Sequence, residues 1–228
     1  MSTNFHTDID NTTSIRTYRL RFETNDKSKF DIMQDMARKC IDNKENTMFN
    51  FNNKLLMSLQ PQWIHRIALG RKSIEVRKTR PKRLQLPFQM FMYCTKDMSY
   101  PMCWTDTPDV QLIRAHTINK PCLNFNGRIV GSNLVTKILE FRWNEQHNRY
   151  DISEEDLAAT CLTQEQLLAY GKKETLYGYV LGVGHIYKET IPLDRAFIYN
   201  KNNDKVAVKS APQSWGYVGG IDFEGFNL

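Results

Sequence analysis

Gly70-Arg71-Lys72-Ser73-Ile74-Glu75-Val76-Arg77 is the stretch that decides how this chain reads, and Lys78-Thr79-Arg80-Pro81-Lys82-Arg83 follows it at once. Between Arg66 and Arg83 there are eight basic residues (66, 71, 72, 77, 78, 80, 82 and 83) and one acid, Glu75, a local charge of +7 against +6 for all 228 residues. The rest of the chain is therefore close to charge-balanced, and its positive field has one source. A concentrated field of that kind fits a polyanionic partner. Within the stretch, Ile74 and Val76 alternate with Ser73, Glu75 and Arg77, so a strand here puts the two apolar residues on one face and Glu75 beside Arg77 on the other.

Working outward, Gly70 stands where a helix C-terminal glycine belongs. Gln60-Pro61 opens that helix, with proline in the first turn where its missing N–H costs nothing. Trp63, Ile64, Ile67 and Ala68 form its inner face, and Trp63 reads as core. Leu55–Leu59 is an apolar strand before it, and Phe88–Tyr93 a second one after the basic loop bracketed by Pro81 and Pro87. Asn126-Gly127 is a turn signal ahead of strands at Gly127–Val135 and Lys137–Arg142. Ser153–Ala159 and Thr163–Tyr170 are short helices with Ser or Thr at the start and Glu in the first turn. Tyr177–Tyr187 is strand or loop punctuated by Gly178, Gly182 and Gly184, read as bends where backbone comes close, with His185 a satisfied structural histidine. Pro192-Leu193-Asp194 makes a further turn. Several short strands with few helices describe a small mixed barrel of the α+β class.

Upstream, residues 1–14 are polar and read as a disordered tail. Residues 15–53 read as a strand-helix-strand extension: Thr17–Phe22 alternates, Ser28 caps a helix with Phe30, Met33, Met36, Ala37 and Cys40 on its apolar face, and Thr47–Phe51 is a second strand. Residues 1–50 carry eight basic and eight acidic residues, so this unit is no basic arm. Residues 54–228 form the main domain, with a polar, aperiodic insertion at about 97–125.

Composition excludes several classes. At 41% hydrophobic and 25% charged residues, the chain has the balance of an ordinary globular protein. The start has no apolar h-region and no apolar run reaches the length of a membrane span, so neither a secretory signal nor a membrane partner is expected. Five cysteines (40, 94, 103, 122, 161) form no C-x-x-C pair, which fits a reducing cytoplasm. The histidines (6, 65, 116, 147, 185) have no neighbours at metal-ligand spacing, so no metal and no cofactor is expected.

The stretch 70–77 matches G-x-K-x-x-E-x-R at Gly70, Lys72, Glu75 and Arg77, the signature of the ASCH domains of the PUA-like superfamily. The resemblance extends to Gln60-Pro61-Gln62-Trp63-Ile64, Tyr93-Cys94-Thr95-Lys96, Asn126-Gly127-Arg128-Ile129-Val130-Gly131 and Pro212-Gln213-Ser214-Trp215. It covers roughly 54–218 and is similar to ASCH-type proteins common in bacteriophages and their hosts. It implies a closed or nearly closed barrel plugged by a helix, with a cleft lined by Lys72, Glu75 and Arg77. It also implies kinship with RNA-binding modules, and in a phage protein a host-cytoplasmic location. One departure is Ser132-Asn133, where the family carries an acid after the N-G-x-x-x-G turn.

The chemistry of the residues points the same way. An ionised Glu75 between two cations can accept from a base's exocyclic amine while the cations take phosphate. Candidate nucleic-acid contacts are Lys72, Ser73, Glu75 and Arg77 in the cleft, Lys78, Arg80, Lys82 and Arg83 on a phosphate-tracking loop, and Trp215 as a stacking residue at the edge; Trp63, Tyr93 and Trp104 are further aromatic platforms. The bland reading, an ion pair on a solvated face beside a solvated basic loop, stands against each. Two other functions stay open. One is an enzyme on modified nucleosides or RNA, with Lys72 and Glu75 as catalytic acid and base. Amidohydrolases resembling this family need a threonine where Glu75 stands, and Ser73 is the nearest hydroxyl. The other is a protein-interaction module in which residues 15–53 self-associate or contact a host protein. The expected partner is RNA or another single-stranded nucleic acid, or a modified nucleoside.

Overall fold

In the computed structural model, residues 54–97, 99, 101–104, 110–112 and 125–226 are described. The expected tail at 1–14, the extension at 15–53 with its docking role, and residues 113–124 of the insertion lie outside them. The elements in chain order are β1 (Lys54–Leu59), α1 (Pro61–Ala68), β2 (Ile74–Arg77), β3 (Phe88–Cys94), β4 (Met102–Trp104), β5 (Val110–Leu112), β6 (Ile129–Phe141), β7 (Trp143–Asn144), β8 (Arg149–Tyr150), α2 (Glu154–Thr160), α3 (Gln164–Gly171), β9 (Leu176–Ile191), β10 (Ala196–Tyr199), β11 (Lys205–Ala207), β12 (Trp215–Val218) and β13 (Gly220–Ile221).

β1 is apolar along nearly its whole length because both its faces are buried, the pattern of a central strand. Leu55, Met57 and Leu59 enter one core, which also receives Ile64 and Ile67 of α1. Leu56 enters a second core on the opposite face of the sheet. β3 repeats this arrangement, with Met90 and Met92 in the first core and Phe91 and Tyr93 in the second. β2 contributes Ile74 and Val76 to a third core, with Phe141, Tyr150, Leu167 and Leu176.

The main sheet has six strands in the order β12-β1-β3-β6-β9-β2. β1 and β3 are parallel neighbours, and the other pairs are antiparallel. A parallel pair needs a crossover, and here the crossover carries α1, the signature turn and β2, which crosses to the far edge of the sheet. The sheet curls into a half-barrel of α+β type, with three helices among the described residues. Among the described residues no strand ladder joins the edge strands β2 and β12. The segment following β2 bridges them instead. Trp215 Nε1 donates to Thr79 Oγ1 at 3.1 Å, and Arg83 N donates to Tyr217 Oη at 3.3 Å. The barrel expected from the sequence is thus open along one seam, with the basic loop lying across it.

Local signals account for the element ends. α1 closes in a Schellman motif, with Gly70 N bonded to Ile67 O (2.9 Å) and Arg71 N to Arg66 O (2.9 Å), and Gly70 at φ +68°. Ser153 caps α2 through Asp156 N, and Thr163 and Gln166 form a reciprocal capping box on α3. The two strands expected at 127–142 are one continuous strand, β6, whose register against β9 shifts at three places. The bend at Gly184 follows from a close approach. A Cβ there would sit 2.1 Å from Asn133 Nδ2 on the facing strand. The stretch 97–125 contributes a pair of short strands, β4 and β5, and sends Met102 and Phe125 into the first core.

Candidate nucleic-acid interface

The signature residues converge where β2 meets α2. Lys72 Nζ lies 3.2 Å from Glu75 Oε2, and Arg77 Nη2 lies 3.1 Å from Glu75 Oε1. The side chains are 2%, 6% and 13% exposed for Lys72, Glu75 and Arg77. Lys72 Nζ also donates to Ile74 O at 2.9 Å and Thr160 O at 2.7 Å. An ammonium has three donors, and these three contacts account for all of them. Arg77 Nη2 additionally donates to Ser58 O at 2.7 Å, tying the edge strand to β1 across the half-barrel. The sequence places Lys72 and Glu75 on a cleft wall. The structure buries both in an ion knot that joins β2, α2 and β1. Arg77 Nε, also buried, has no hydrogen-bond partner.

Trp63 is also placed differently from its expected core position. It is half-buried, and Lys72 Nζ and Arg66 lie over its ring at 5.0 and 5.1 Å from the centroid. Cation–π attraction thus extends the knot into α1.

Beyond Arg77 the chain turns outward. Lys78, Thr79, Arg80, Lys82 and Arg83 are exposed, and Pro81 is buried and anchors the loop. Three of the cations lie over aromatic rings: Lys78 over Tyr170 (5.4 Å), Arg80 over Tyr177 (5.6 Å) and Arg83 over Tyr217 (5.9 Å). Trp215 and Tyr217 meet edge to face at 5.4 Å. Tyr179, fully buried, donates its hydroxyl to Thr79 O at 2.8 Å. Burial pushes its phenol pKa up, outweighing the nearby Arg77 cation, so it stays a protonated donor. The loop is therefore held at Thr79 by Tyr179 and Trp215 and presents alternating cations and rings.

The structure brings together Lys72, Glu75 and Arg77 as a buried group and Lys78, Arg80 and Arg83 as a surface group, with Trp215 half-buried beside the loop and packed against the first core. Ser73 is half-buried, and its backbone links Ala159 and Leu181. Lys82 is exposed on the same loop. Tyr93 is 4% exposed and belongs to the second core. Sequence reasoning missed Tyr170, Tyr177 and Tyr217. Tyr177 faces Arg77 across β2 and β9, a register between strands far apart in the chain that the sequence does not announce. Tyr170 and Tyr217 come from distant elements with no sequence signal of their own. His185 is also not the satisfied histidine expected. Its Nδ1 is buried without a partner beside a small cavity, and desolvation holds its pKa below the ordinary value. Among the described residues there is no group of three or more His, Cys, Asp or Glu side chains placed to hold a metal ion, and no helix long and apolar enough to cross a membrane.

No protein-family model matches the chain, and no curated protein matches it. Among solved structures it is similar to the crystal structure of ASCH from Zymomonas mobilis, with 16% identity and a TM-score of 0.45 over 73% of this chain and 87% of that one. A tyrosine-to-phenylalanine mutant of that protein matches with 17% identity and a TM-score of 0.44, covering 72% of this chain and 89% of the other. A serine-to-alanine mutant matches with 15% identity and a TM-score of 0.46, covering 73% and 88%. These structures bear the family name that Gly70, Lys72, Glu75 and Arg77 suggest.

Proposed function

We propose that the chain binds single-stranded RNA along the loop 78–83, with the Lys72–Glu75–Arg77 knot fixing that loop rather than touching the ligand. The observation that carries this reading is the row of cation–ring pairs at Lys78–Tyr170, Arg80–Tyr177 and Arg83–Tyr217 on an exposed loop. The cations suit phosphates, and the rings and guanidinium planes suit unstacked bases. A stacked base contributes about 1–3 kcal/mol and asks for no particular sequence. A duplex offers its bases no such access. Catalysis by Lys72 and Glu75 has less support, because the Lys72 ammonium is fully occupied by protein oxygens.

Fluorescence anisotropy with a short labelled RNA strand tests the proposal. Replacing Lys78, Arg80, Lys82 and Arg83 together by Ala is expected to weaken binding at least tenfold while the chain stays folded by circular dichroism. Parent-like affinity in that folded variant would sink the proposal.

A further inference from the structure

A second charged concavity lies on the opposite face of the main sheet from α1. It is an open groove of about 390 Å³ between the Asn126-Gly127 turn, the 3-10 turn at Leu193–Arg195 and the stretch 207–209. Its floor includes Tyr93, Leu193 and Val208, all packed in or against the second core. Its charged lining is Lys96, Arg128 and Lys209 against a single carboxylate, Asp194. The volume is that of a small-molecule site, and the mixture of an apolar floor with a few convergent charges is the usual make-up of one.

The cations are arranged rather than merely present. Arg128 Nε donates to Thr190 Oγ1 and its Nη2 to Thr190 O, both at 2.6 Å, which fixes the plane of the guanidinium. A guanidinium has five N–H donors, so three remain after these bonds. The stem of Lys96 folds over Gly127, where a Cβ would meet Lys96 Cγ at 3.1 Å and the φ of +80° already favours glycine. That contact directs the lysine along the groove wall. Lys96 and Lys209 are exposed and have no ion-pair partner among the described residues.

From this geometry we propose that the groove binds a nucleoside monophosphate. Arg128, Lys96 and Lys209 take the phosphate, Asp194 accepts from a ribose hydroxyl or an exocyclic amine, and the base lies on the apolar floor. A fixed guanidinium together with two exposed ammonium groups in one groove suits a terminal phosphate, which offers three oxygens to charge-assisted bonds. One acid among three cations matches a ligand that carries both an anionic group and a hydrogen-bond donor. This groove is separate from the loop 78–83, and the proposal does not depend on that loop's reading.

Isothermal titration of the full chain with adenosine monophosphate, inorganic phosphate and adenosine tests it. The monophosphate is expected to bind at least tenfold more tightly than phosphate or adenosine. Lys96→Ala/Lys209→Ala is expected to weaken it at least tenfold, and Asp194→Asn to weaken the monophosphate without changing phosphate. Lys78→Ala/Arg80→Ala is expected to leave it unchanged, which separates this site from the RNA loop. No binding of the monophosphate at millimolar concentration, phosphate binding as tightly as the monophosphate, or loss of binding in the loop variant but not in the groove variant would each overturn the proposal. Asp194 is exposed, as are both lysines, so the folded state of these variants can be confirmed by an unchanged melting profile.

Discussion

The basic window 66–83 contains two regions with opposite fates. At Lys72 and Arg77 the charges turn inward, against Glu75 and the carbonyls of Ser58, Ile74 and Thr160. From Lys78 to Arg83 they turn outward, over tyrosine rings on α3, β9 and β12. The difference shows why a charge count alone misleads. Cations with fixed protein acceptors organise the fold, and exposed cations that lie over ring faces remain available to a partner. Glu75 is what divides them, because it is the only acid in the window.

The largest expected effect breaks the inner region. Glu75→Ala leaves two buried cations without their carboxylate and should cost about 3–5 kcal/mol of stability, read as a lowered urea midpoint. RNA affinity should then fall only as far as the fold is lost. The next effect breaks the outer region. Removing the four loop cations should lower RNA affinity by about 10- to 100-fold, while stability falls by about 1.5–3 kcal/mol, since each of the three exposed cation–π pairs contributes about 0.5–1 kcal/mol. Tyr177→Leu sharpens this prediction, because it removes a ring and no charge; it should weaken RNA binding with an unchanged salt dependence.

Smaller effects probe what holds the two regions together. Gly70 sits at φ +68° in the turn that delivers Lys72 to the knot. Gly70→Ala should cost about 1–2 kcal/mol through left-handed strain, measured by chemical denaturation, with RNA affinity unchanged in the folded fraction. The smallest effect is a pH dependence. Burial lowers the His185 pKa from the ordinary 6.5, so the unfolded chain takes up this proton at higher pH than the folded one. The His185 contribution to stability is therefore full above pH 6.5 and is lost as pH falls from 6.5 toward the folded pKa. Denaturation midpoints of the parent and of His185→Gln at pH 8 and pH 5.5 check it; the parent should lose more stability on acidification than the variant.

Much of this architecture was readable in the chain. β1, α1, β2 and β3 follow from alternation, from proline at a helix start and from Gly70 at a helix end, all of them local signals. The pairing of Glu75 with Arg77 follows from the period of a strand. The burial of Lys72 does not, because it depends on Thr160 O, which lies 88 residues away on α2. The same limit hid the tyrosines: Tyr217 reaches the loop because the sheet curls and brings β12 toward β2, and Tyr170 because Leu167 of α3 shares the third core with Ile74 and Val76 of β2. β6 reads as two strands divided at Thr136, where the chain in fact runs on and only its register against β9 shifts, between Val135 and Lys137. His185 reads as satisfied because a sequence carries no sign that its Nδ1 meets an apolar cavity wall.

The most direct measurement of the central claim is the salt dependence of RNA binding, compared between the parent and the folded variant lacking Lys78, Arg80, Lys82 and Arg83. On a logarithmic plot of affinity against salt, each lost phosphate contact to a single strand should reduce the slope by about 0.7, so the variant should be flatter by about 2–3 in all. Identical slopes and affinities in the two proteins would contradict the account and return the RNA contact to some other surface of the chain.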